Sequence, residues 1–102
     1  MTEFTSLAEL SADTFQTLIG SGFRVFYPEH QESLTLERME RRNGPPGERD
    51  PFSLFLRGES TTIMLNQGIH TVAHDALGNL ELFVVPVGRD DAGRHEYQVV
   101  FS

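Results

Sequence analysis

The chain has no cysteine and no lysine. Without a thiol there are no disulfides, no Cys-ligated zinc and no thiol nucleophile, and the staple of small secreted scaffolds is missing. No apolar stretch approaches the roughly 20 residues that a membrane-spanning helix needs. The start, MTEFTSLAEL, is acidic and has no basic segment leading into an apolar run, so no secretory signal is expected. Together these absences predict a cytoplasmic protein. Cations are scarce as well: eight arginines stand against fifteen Asp and Glu, for a net charge of −7. A nucleic-acid binder needs cations to displace phosphate counterions, and anionic lipid attracts basic segments, so no nucleic acid and no membrane is expected as partner. The basic cluster of Arg38, Arg41, Arg42 and Arg49 is cancelled by Glu37, Glu40, Glu48 and Asp50 in the same segment. The all-arginine usage has two readings, bidentate anion recognition and the codon bias of a GC-rich genome, and the second is favoured.

What is present is enough for one core. The 102 residues include eight Phe and are 38% hydrophobic, which predicts a single domain over 1–102. Ser11 suits a helix N-cap, Asp13 the polarised first turn, and Leu10 and Phe15 the spacing of a hydrophobic staple. Phe15, Leu18 and Ile19 would form the apolar face of a helix about two turns long, ended by Gly20 and Gly22. Too short to persist alone, it must dock on a sheet. Residues 1–5 are expected to fray. Strand patterns follow. FRVFY turns Phe23, Val25 and Tyr27 to one face, and SLTLERM turns Leu34 and Leu36 inward, with PEHQE as the hairpin loop between them. RRNGPPGER (41–49) reads as a long mobile loop. DPFSLFLRG, QGIHTVAH, GNLELFVVPVG and RHEYQVVFS supply four more strands. In the first of these Phe55 falls opposite Phe52, Leu54 and Leu56, and is expected to lie beneath the helix.

The fold expected is therefore mainly β: a partly closed antiparallel barrel or sandwich of about six strands with one short N-terminal helix, or alternatively an α+β roll.

Chemistry-bearing spacings are weak. His70 and His74 would share a helix face and could hold zinc there, but position 71 is Thr rather than the Glu of a metalloprotease. On a strand the two rings stand about 13 Å apart, too far to share an ion. GRDDAGRHE offers Asp90, Asp91, His95 and Glu96 but lacks the alternating oxygens of a calcium loop, and a solvated hairpin turn accounts for it. There is no G-x-S-x-G elbow, no P-loop and no G-x-G-x-x-G, and Ser21 follows a helix end where small residues are common. No catalytic residue, cofactor or metal is expected. Asn66, Gln67 and His70 are candidates for a polar pocket, and Arg41, Arg42 and Arg49 for a contact surface.

D-P-F-S-L at 50–54 with Arg57-Gly58, then Gln67-Gly68, His74-x-x-Leu77-Gly78 and Leu82-Phe83-x-Val85-Pro86-Val87-Gly88, resembles a family of small bacterial proteins of unknown function. An apolar helix ending in Gly before Phe23-Arg24-Val25 is similar as well, so the likeness spans most of the chain. His70 departs from it, standing where the pattern has an aromatic. The resemblance implies no established activity. It does imply association with phage-tail-like collar proteins, hence a non-enzymatic protein-interaction or assembly module with a protein partner. The alternative is a small-molecule-binding β-barrel, holding its ligand in the mouth.

Overall fold

Alternation gives each strand a wet face and a dry one. In the computed structural model, which describes residues 10–26, 31–47 and 50–101, this pattern is clear over 22–26, 31–36, 80–84 and 97–101. β1 (Gly22–Phe26) buries Phe23 and Val25, and β2 (Gln31–Arg41) buries Glu32, Leu34 and Leu36. β3 (Phe52–Gly58) is buried along nearly its whole length, and β4 (Gly68–His74) buries Val72, Ala73 and His74. β5 (Gly78–Arg89) buries Leu80, Leu82 and Val84, and β6 (His95–Phe101) buries Tyr97, Val99 and Phe101.

The strands form a closed barrel in the order β1-β2-β3-β6-β5-β4, every neighbouring pair antiparallel. The mainly β expectation holds, and of its architectures the barrel is the one formed. It is closed by β1 against β4, Arg24 opposite Ala73 and Val25 opposite Val72. The expected frayed segment 1–5, Tyr27 and most of the PEHQE loop, and Arg49 lie outside the described residues.

The helix α1 (Ala12–Gln16) is shorter than the sequence suggests. Ser11 caps it as expected, its hydroxyl accepting from the Thr14 amide. The chain leaves the helix after Thr17, turns through Gly20 in the left-handed region at φ +93°, and donates the Gly20 amide to Leu36 O of β2. Ile19 falls beyond the helix and is 40% exposed, which corrects its assignment to the buried face.

α1 also docks at a different place. Phe15, fully buried, packs at 5.8 Å on Phe52 and 5.3 Å on Phe101, which stack on one another at 4.6 Å. Leu10 joins this cluster. The helix thus plugs one end of the barrel instead of covering the wall. Phe55 is buried as expected, but its cover is different: the Arg38 guanidinium sits 3.7 Å from the ring centroid. A bulge in β2 between Leu36 and Arg38 is the reason, because it sets Arg38 directly opposite Phe55.

The other end is closed by the connection from β3 to β4. These strands are not neighbours, so residues 59–67 must cross the barrel opening. Leu65 drops into it, fully buried, and its amide donates to the Tyr97 hydroxyl at 2.9 Å. The buried Glu32 carboxylate accepts from the amides of Ser33 and Ser60, tying the start of the crossing to β2. Gly58 suits this closeness, since a Cβ there would crowd Glu32 Oε2 and the Tyr97 ring, each at 3.3 Å. No helix among the described residues is long and apolar enough to cross a membrane.

Candidate functional site

The residues singled out from sequence do not converge. Arg41, at the last β2–β3 pair opposite Phe52, reaches across to Asp13 of α1 at 2.6 Å and ties plug to wall. Arg42 is exposed, and its amide donates to Pro51 O. Asn66 and Gln67 are exposed at the opposite end, where His70 Nε2 donates to Asn66 O at 2.7 Å. Arg41 is therefore tied to the plug at one end, while Asn66 and Gln67 belong to the crossing segment at the other, with His70 bonded to it. After β2 the Gly44 amide donates to Asp50 Oδ1, and the chain turns at Gly47 with φ +84°.

His70 and His74 lie on a strand, as their flanks suggest, and each has separate partners. The GRDDAGRHE segment is a hairpin turn. Asp90 Oδ1 accepts from the amides of Ala92 and Arg94, Oδ2 from Arg94 Nε, and Gly93 takes a left-handed φ of +88°. The Arg94 amide bond is the main cause holding the Asp90 carboxyl below its ordinary range.

Sequence reasoning missed one pair that has the look of a hydrolytic dyad. Ser21 Oγ lies 2.8 Å from His74 Nε2, and His74 is 6% exposed. The protons settle what it can do. The Ala76 amide donates to Nδ1 at 3.0 Å, so Nδ1 carries no hydrogen and the neutral ring carries it on Nε2. Nε2–H then donates to Ser21 Oγ, whose own hydrogen goes to Leu18 O at 2.5 Å. A general base would have to accept from the serine, and here it donates. The pair is a clasp between the α1–β1 turn and the end of β4. Its members are 53 residues apart, so no local spacing announces it.

The outer wall divides in two. Over β2, β3 and β6 it is charged: Arg57 bridges Glu37 at 3.2 Å and Glu96 at 3.3 Å, and Arg38 pairs with Glu40 while lying on Phe55. Burial opposes the charge on Arg57, but the bond to Glu37 and the field of Glu37, Glu96 and Asp90 outweigh it and raise the pKa above the ordinary value. Beside this network is a cleft of about 410 Å³ lined by Ser33, Thr35, Glu37, Arg57, Glu59 and Arg94. Over β4, β5 and the end of β6 the wall carries bare apolar side chains, with Thr71 opposite Glu81 on the same face. Ile69 and Phe83 face each other across β4 and β5, 69% and 51% exposed, and Val100 on β6 is 52% exposed. Val87 on β5 and Phe26 on β1 are bare as well.

The family described as a domain of unknown function (DUF6916) matches residues 10–101. The chain belongs to that family. The match takes in the helix plug and all six strands. No curated protein and no solved structure matches the chain.

Proposed function

We propose that the chain is a non-enzymatic protein-contact module that works through the outer wall of β4, β5 and β6. The observation that carries this reading is the bare cross-strand pair of Ile69 and Phe83, with Val100 bare on β6, the strand next to β5. Adjacent bare apolar side chains make a patch on the order of a few hundred Å², the size at which exposed apolar surface tends to be functional. The charged half of the wall carries internal ion pairs, whereas Ile69, Phe83 and Val100 are exposed to solvent. The net charge of −7 favours a partner with basic residues around an apolar centre. The finer form of the reading is an assembly role in the bacterial cytoplasm, accessory to a phage-tail-like structure; the sequence resemblance supports it. The alternative of a ligand held in the barrel mouth has less support. The interior positions carry packed Leu, Val and Phe side chains, and Phe15 and Leu65 occupy the two ends.

The test is a pull-down from the native cell with the wild type and with Ile69→Ser plus Phe83→Ser, both shown to be folded. A specific protein captured by the wild type and lost with the double variant is the expected result. A partner captured equally by both would remove the apolar wall from the reading.

A further inference from the structure

Arg24, Arg38, Arg41, Arg57 and Arg94 each bind a carboxylate. Arg42 and Arg89 bind none among the described residues. Arg42 follows β2 at the plug end. Arg89, exposed near the other end of the barrel, lines a cleft of about 370 Å³ with Met64, Pro86, Val87, Gly88 and His95. We infer that this cleft binds a small free amphipathic carboxylate, its charged head on Arg89 and its apolar body against Met64, Pro86 and Val87.

Three segments build the cleft. β5 carries one more residue than β6 between Pro86 and Gly88, since Pro86 pairs with Tyr97 and Gly88 with Glu96. Such a bulge re-aims side chains, and the extra residue here, Val87, is 45% exposed. The crossing segment contributes Met64, 51% exposed, and β6 contributes His95, directly opposite Arg89. Space is left at the backbone too, where a Cβ on Gly88 would meet nothing within 4 Å. An apolar lining with a few convergent polar groups is the usual make-up of a small-ligand site, and the volume falls within the ~300–1,000 Å³ of such sites. Ile69 and Phe83 do not line it, so the inference stands apart from the protein-contact reading.

The sign and number of charges follow from what Arg89 lacks. Asp90, next in the chain, is committed to the Ala92 and Arg94 amides and to Arg94 Nε. Glu96, across from Gly88, is held by Arg57 and Arg38. Asp91 in the hairpin turn does not line the cleft. A guanidinium presents a planar fork of donors that fits a carboxylate, and one free fork matches one negative charge. At long range the net charge of −7 repels anions. A preference for an acid at this place therefore has to come from the cleft itself.

Octanoate, octanol and octylamine, equal in chain length, test this by NMR on the whole chain. Octanoate should shift the Met64 and Val87 methyls and the His95 ring. It should bind about threefold to fivefold tighter than octanol, the gain from one exposed ion pair. Octylamine, although the net charge attracts it, should bind there more weakly than octanol. Added salt should shrink the preference for the acid. Arg89→Gln, with its spectrum unchanged away from the cleft, should bind octanoate and octanol equally. The inference fails if octanoate does not bind, or binds no tighter than octanol. It fails equally if octanoate shifts Ile69 and Phe83 in place of Met64 and Val87, or if Arg89→Gln keeps the preference.

Discussion

Phe55 and Arg38 show how one side chain's environment can be half visible in a sequence. Alternation in FSLFLR places Phe55 on the face away from Leu54 and Leu56, and its size predicts a cover. What covers it depends on a bulge one strand away, and a bulge has no local signature in SLTLERM. With the guanidinium lying on the ring, Phe55→Ala removes a large buried side chain and should cost about 3 kcal/mol in denaturant unfolding. Arg38→Ala uncovers the ring and should cost about 1 kcal/mol. The two losses should be sub-additive, because they remove one shared contact. Full additivity would mean that the stacked guanidinium contributes nothing to the ring. Tyr97 is a second case. Its alternation with Val99 and Phe101 is plain, but its hydroxyl partner, the Leu65 amide, lies 32 residues away. Tyr97→Phe leaves that buried donor unsatisfied and should cost about 1–3 kcal/mol, with β strands intact by circular dichroism.

At the scale of elements, what was legible was what depends on neighbours in sequence. The N-cap of α1, the inward positions of β1 and β2 and the β5–β6 hairpin follow from local spacing and turn chemistry. The docking of the helix does not, because Phe15 finds Phe52 and Phe101 from the far side of the chain. Five residues of helix have no stability of their own, so nearly all of the element's contribution passes through that one ring. Phe15→Ala should therefore cost about 3–5 kcal/mol and act like loss of the whole plug. Because α1 does not cover Phe55, Phe15→Ala and Phe55→Ala should add within about 0.5 kcal/mol in a double-mutant cycle. Strong coupling between them would put the helix back on the wall. β4 explains why its two histidines do not cooperate: the strand holds them four positions apart, with His70 tied to the crossing segment and His74 to the plug turn. Zinc or nickel in excess should leave the melting temperature of the wild type unchanged. A metal-dependent rise of several degrees, abolished by His70→Ala plus His74→Ala, would contradict this geometry.

At the scale of the whole molecule, the barrel separates what folds the chain from what it shows to solvent. Leu80, Leu82 and Val84 on β5 point inward and are buried, while Phe83 between them points out and is half bare. In GNLELFVVPVG the outward Phe83 has the same apolar character as the inward Leu82 and Val84, so spacing alone does not mark it as exposed, and the residues singled out from sequence lie elsewhere. Closure supplies the missing distinction, since only a closed barrel has an interior that the alternate residues can fill. Neighbouring residues of one strand should therefore respond in opposite ways. Leu82→Ala empties an interior site and should cost about 2–5 kcal/mol. Phe83→Ser removes a side chain already in water and should cost about 1 kcal/mol or less, mostly through the poorer fit of Ser to a strand. Urea unfolding of the two variants checks this. A Phe83→Ser loss as large as that of Leu82→Ala would mean that Phe83 supports the fold, and a bare apolar wall that the fold needs would no longer point to a partner.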